Sequence, residues 1–192
     1  MTTETQLSQV DATMKGRPAL RGWLQRHSLL AYGLIAYGIT WSILLGAMFA
    51  IQSGLLAPDT PLLGLAAEAA VYGPAIAALL VLAITQGRAG VIPWLRSIVC
   101  WRVGVRWYLF TLIGVPLLTL LGASFLYGAL PFQSLAQQWP TLITRFAPLI
   151  LLTALTTGLG EEPGWRGFAL PNLERRHGPL LGTLLLGLLW AF

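Results

Sequence analysis

The sequence predicts an all-α protein, a multi-pass transmembrane helix bundle with four full spans and a truncated fifth. Three observations carry this. Hydrophobic residues make up 56% of the chain and charged residues 10%, whereas a soluble domain carries about a quarter charged residues. Apolar runs recur at the length that crosses a hydrocarbon core of about 30 Å. Basic residues are present in every second connection and nearly absent from the others, the pattern of a chain oriented by its positive charges.

Taken in order, residues 1–28 are polar with scattered charge. They lack a short apolar core followed by a small-residue cleavage site, so they are expected to stay attached as a flexible cytoplasmic segment ahead of a membrane-embedded domain over 29–192. The runs near 29–51, 62–85, 107–130 and 143–160 each fit a full span. A fifth run from Pro179 to Phe192 has fourteen residues. At about 1.5 Å per residue it reaches about 21 Å and stops inside the bilayer. Glycines and prolines within the spans, such as Gly73 and Pro74, suit membrane helices, where small residues allow close packing and neighbours re-satisfy the backbone. The segment 86–106 reads either as a basic loop with interfacial aromatics or as an amphipathic piece lying on the inner surface.

Orientation follows from the loops. Lys15, Arg17, Arg21 and Arg26 precede the first span; Arg88, Arg96, Arg102 and Arg106 separate the second from the third; Arg166, Arg175 and Arg176 follow the fourth. The connections 52–61 and 131–142 hold no Lys or Arg, and only Arg145 departs from the pattern. The N-terminus and the Glu161-Glu162 cluster with Arg166 are therefore expected on the cytoplasmic side of the cell membrane. Trp41, Trp94, Trp101, Trp107, Trp139 and Trp165 include candidates for interfacial anchors. The net charge of +5 is dispersed over short loops rather than gathered on one basic face, which argues against a nucleic-acid partner. The partners expected are membrane lipids and a membrane-associated peptide or protein substrate.

Chemistry concentrates in Gly160-Glu161-Glu162-Pro163-Gly164-Trp165-Arg166-Gly167-Phe168. Charges at a membrane edge cost free energy unless paired. Glu162 and Arg166, four apart, share a face on a continuous helix and pair there, while Glu161 points elsewhere. Pro163 complicates this, because it removes a backbone donor and disfavours helix at Glu162, so the span either kinks or restarts. A second carboxylate and partial desolvation raise a glutamate's pKa toward neutrality, which suits a base that activates water, while an arginine opposes the shift and fixes geometry.

The tract 160–173, with Trp165 before the arginine and Leu170-Pro171 after it, resembles the first signature of the CPBP family of intramembrane proteases. That family includes the CAAX prenyl proteases and the bacteriocin-processing and immunity proteins. Gly73 to Leu79 and Trp101 to Tyr108 are similar to tracts common in its bacterial members. The resemblance implies an intramembrane endopeptidase in which Glu161 activates the attacking water and Glu162 and Arg166 support the site. It also implies two further motifs, an aromatic followed four residues later by histidine, and a later histidine with Asn or Asp. Leu189-Trp190-Ala191-Phe192 looks like the opening of the first of these, with Trp190 as its aromatic. The expectation is of a truncated sequence, the N-terminal part of the family fold, inactive as it stands.

The remaining candidates are weaker. His27 and His177 match neither histidine motif and read as solvated, His177 in a polar loop. No cofactor is required on this reading, and the chain contains no His-Glu-x-x-His element; zinc is the alternative for an intact parent. Glu68 sits about two turns into the second span, either lining the site or a substrate path, or snorkelling toward the outer edge or bonding to a neighbouring helix. The single Cys100 excludes an intrachain disulfide and reads as an incidental thiol. The competing function is a non-catalytic membrane scaffold or immunity-type protein. A small transporter is disfavoured, because the charges gather at one edge rather than at the midplane between repeated halves.

Overall fold

The computed structural model describes residues 21–100 and 102–191. The readings placed on Lys15, Arg17, Trp101 and Phe192, and on the N-terminal segment before Arg21, lie outside the described residues. Among the described residues no strand occurs, and the helices are α1 Ser28–Gln52, α2 Pro61–Val71, α3 Gly73–Thr85, α4 Arg88–Ile98, α5 Val105–Tyr127, α6 Leu130–Thr141, α7 Ala147–Leu155, α8 Thr157–Gly160, α9 Glu162–Gly164, α10 Leu170–His177 and α11 Pro179–Trp190. Four stretches are long and apolar enough to cross a membrane, Ser28–Gln52, Pro61–Thr85, Val105–Tyr127 and Ile143–His177, with Pro179–Trp190 a shorter apolar helix. The all-α, multi-span expectation is borne out.

The chain forms two compact units. The smaller, Val99–Thr153, contains α5, α6 and most of α7, and none of its described residues is buried. Its helix α6 corrects one expectation, since residues 131–142, read as a loop, are helical up to Thr141.

The larger unit has its core where α1, α3 and the segment 160–173 meet. Tyr32, Ala36, Ala77, Ala78, Val81 and Ala169 are almost completely buried there. Alanine dominates because lipid tails are as apolar as leucine, so helices in a membrane gain from close backbone approach and dispersion rather than from water exclusion. Large aliphatic side chains point the other way: Leu34, Phe49, Leu65 and Leu188 are exposed. In water such a surface invites association, whereas in lipid it is the solvated face.

The second span is interrupted at Tyr72, between α2 and α3. Pro74 explains the break, because its ring excludes the hydrogen bond to the carbonyl four residues back and clashes with it. That carbonyl, Ala70 O, instead accepts a bond from the Thr40 hydroxyl of α1 at 2.9 Å. At the far end of α3 the Thr85 carbonyl, one of the last groups without an intrahelical partner, accepts from Gln25 Nε2 at 3.0 Å and Arg21 Nη2 at 3.3 Å. The helical residues 21–26 thus clamp α3.

Within the stretch 86–106, read as either a basic loop or an amphipathic piece, Arg88–Ile98 forms α4, a helix that turns Gly90 and Trp94 inward and leaves Arg88 and Arg96 exposed. Two further expectations are corrected. Trp94 and Trp165, considered as interfacial anchors, are both core residues, 8% and 7% exposed. His177 closes α10 instead of lying in a loop.

Candidate active site

The fourth apolar stretch does not stop at Gly160. It turns at Glu161, restarts as α9, widens into a π-helical turn at Trp165–Ala169 and continues as α10. Pro163 occupies the first turn of α9, where a missing N–H costs nothing. The kink-or-restart alternative is thereby resolved as a restart. The wider π winding shifts the backbone hydrogen-bond register by one residue, a local irregularity found often at functional sites. The Pro163 carbonyl takes its donor from outside the segment, the Trp94 indole N–H at 3.0 Å.

Two glycines seat the motif against the second span. A Cβ at Gly160 would lie 2.9 Å from the Val71 carbonyl oxygen, and one at Gly164 would collide with the Pro74 carbonyl. Four residues apart, they form a small-xxx-small face of the kind that lets membrane helices touch through their backbones. Beside them Trp165 meets Tyr32 edge-on, ring centroids 5.4 Å apart, and Phe168 packs on the same tyrosine at 5.1 Å. Backbone contact with the second span and aromatic packing on α1 together seat the segment that carries the two glutamates.

The carboxylates part company. Glu162 and Arg166 form an ion pair along one face, with 41% and 62% of their side chains exposed. They border a cavity of ≈ 170 Å³ with Leu170, Thr183 and Leu186. Glu161 is half-buried and faces a different cavity, ≈ 250 Å³, lined by Tyr37, Thr40, Val71, Trp165 and Trp190. It is the only charged residue on that lining, and its Oε2 accepts a hydrogen bond from Trp190 Nε1 at 3.0 Å. Among the described residues no other donor reaches its side chain.

The remaining candidates lie elsewhere. His27 stacks on Trp23 with ring centroids 4.9 Å apart, its Nδ1 facing the Trp23 carbonyl at 3.1 Å. Glu68 is half-buried on α2, makes no ion pair or hydrogen bond among the described residues, and does not line the Glu161 cavity. Cys100 is exposed. Zinc does not fit the described residues. Glu161 and Glu162 face different cavities, and no three His, Cys, Asp or Glu side chains among the described residues converge on one point.

The Trp190 contact was not legible from the sequence as a contact. Twenty-nine positions separate it from Glu161, and no helical spacing relates residues on different helices. The resemblance marked Trp190 as a motif aromatic but gave it no partner.

A helical chain with membrane-length apolar spans, presenting a lone carboxylate to one cavity and an arginine-paired carboxylate to another, has the build of a helical membrane protein. Residues 143–192 match the model of the Rce1-like family, type II CAAX prenyl endopeptidases. The match takes in Glu161, Glu162, Arg166 and Trp190, bears out the resemblance seen in tract 160–173, and supports a CAAX-protease type of membrane endopeptidase at the level of the family. No curated protein and no solved structure matches the chain.

Proposed function

We propose that this chain carries the water-activating segment of a membrane-embedded endopeptidase acting on a membrane-associated, lipid-modified peptide or protein. Glu161 is the general base. It takes a proton from water as the water oxygen attacks the peptide carbonyl, and it returns that proton to the amine as the C–N bond breaks. Glu162, neutralised by Arg166, fixes the local geometry and leaves Glu161 the only carboxylate free to exchange a proton. The observation that carries this reading is the division of the pair, one glutamate bound to a cation and the other facing a largely apolar cavity with a single neutral donor.

The test is cleavage of a farnesylated CAAX peptide by the protein carrying this chain, reconstituted in vesicles. Glu161→Gln is expected to lower kcat by about 10²–10⁴-fold, the usual worth of a positioned general base, while retaining fold and peptide affinity. Equal cleavage by the variant overturns the assignment. A wild-type protein that binds the peptide without cutting it favours the scaffold reading.

A further inference from the structure

We infer that Trp190 is the positioning residue of the Glu161 carboxylate, holding one of its oxygens so that the other faces the cavity. The inference rests on the proposed role of Glu161 as base and names what aims it.

The geometry is specific. The indole N–H is a donor and cannot accept, so the 3.0 Å contact to Oε2 engages one oxygen without competing for the proton that the base must take. Both residues line the same ≈ 250 Å³ cavity, and Oε1 has no donor among the described residues. The indole is itself anchored. The preceding carbonyl, Leu189 O, accepts a hydrogen bond from the Tyr37 hydroxyl of α1, and Tyr37 packs against Trp165 with ring centroids 5.9 Å apart. Trp190 therefore reaches Glu161 from a helix end pinned to the span that also supports the motif.

Loss of the indole donor leaves Oε2 without a hydrogen-bond donor among the described residues. No other group around Glu161 donates to it among the described residues. Tyr37 is committed to the Leu189 carbonyl and Thr40 to the Ala70 carbonyl; the Tyr32 hydroxyl is buried without a partner among those residues and makes no bond to Glu161; Glu162 and Arg166 face the second cavity; and α2 and α3 present Ala67, Ala70, Val71 and Pro74. Tyr72 of the intervening turn donates to Leu155 O at 2.8 Å.

The experiment is infrared difference spectroscopy of the protein carrying this chain in lipid nanodiscs, with the Glu161 carboxyl band identified by its absence in Glu161→Gln. In Trp190→Phe that band is expected to move from its wild-type frequency, because one oxygen loses its donor, and kcat for farnesylated-peptide cleavage is expected to fall by about tenfold, the scale of one lost hydrogen bond to a charged group, with KM within about twofold. Incorporation of benzothienylalanine at 190 keeps the ring's shape, replaces N–H by sulfur, and is expected to give the same band shift even where Trp190→Phe packs poorly. An unmoved band in the benzothienylalanine protein overturns the inference. Because the spectrum needs no turnover, a moved band in a protein that cleaves nothing supports the contact while refuting the catalytic role of Glu161.

Discussion

The Thr40 hydroxyl donates to the Ala70 carbonyl across two helices, 2.9 Å apart, at the position where Pro74 deprives that carbonyl of its own helical partner. A proline in the middle of a membrane helix leaves a polar group that lipid cannot satisfy, and a hydroxyl from the next helix is one of the few remedies. Thr40→Val keeps the shape and removes the donor. It is expected to lower stability by about 1–2 kcal/mol, with Thr40→Ser near wild type, measured by thermal unfolding in detergent.

The close seat of the motif on the second span gives a second expectation. Gly164→Ala places a methyl group against the Pro74 carbonyl, which belongs to backbone and has little room to yield. A loss of about 3 kcal/mol or more is expected, at the upper end for an overpacked core. Gly46→Ala on α1 meets nothing within 4 Å. It is expected to fall within about 1 kcal/mol of wild type. Similar losses in the two variants would show that Gly164 is not at a backbone contact.

Much of this arrangement was legible in the sequence, and the reasons it was legible differ. The spans are composition and length, so α1 and the pair α2–α3 appear nearly where the apolar runs place them. The Glu162–Arg166 pair is a four-residue spacing and survives the restart at Pro163 because α9 and the π turn remain helical. What sequence could not supply were contacts between distant positions. Trp94, flanked by arginines in a polar stretch, reads as an interfacial ring until its N–H is found on the Pro163 carbonyl, 69 residues away. Likewise, the break at Tyr72 follows from Pro74, but its repair by Thr40 depends on how two helices face each other.

Trp94 yields a third expectation. Its indole donates to a carbonyl of the buried Pro163 in α9, and Trp94→Phe keeps the ring's bulk while removing that donor. Loss of a buried hydrogen bond costs about 1–3 kcal/mol. Because Pro163 adjoins Glu162, the variant is also expected to increase hydrogen exchange at Gly164 and Trp165, which mass spectrometry of the reconstituted protein resolves. Exchange unchanged at those amides would limit the role of Trp94 to filling space.

The ion pair can be weighed by a double-mutant cycle. Glu162 and Arg166 are each well exposed within the protein, so in water their coupling would be at most about 1 kcal/mol. At a membrane boundary the single variants Glu162→Gln and Arg166→Gln each leave one charge uncompensated, while the double variant leaves none. The double variant is therefore expected to be more stable than the sum of the single losses allows, by about 1 kcal/mol or more. Strict additivity in thermal unfolding would mean that the pair contributes no coupling to the fold.

Membrane orientation is open to a test that the sequence itself equips. Cys100 is the chain's only cysteine, it is exposed, and it lies between Arg96 and Arg102 in the connection that carries the densest positive charge. Positive connections stay on the cytoplasmic face, and the fourth stretch, which carries Glu161, follows the third span and a connection free of lysine and arginine up to Thr141. On that rule Cys100 is expected inside, and the same count of crossings leads to the expectation of Glu161 near the inner face. A membrane-impermeant maleimide applied to intact cells is therefore expected to leave the wild-type thiol unmodified and to label it after permeabilisation. A protein carrying Cys100→Ala and Ser53→Cys, the latter in the connection after α1 that holds no Lys or Arg, is expected to show the reverse. Labelling of Cys100 in intact cells would invert the topology and place the proposed active site toward the outer face.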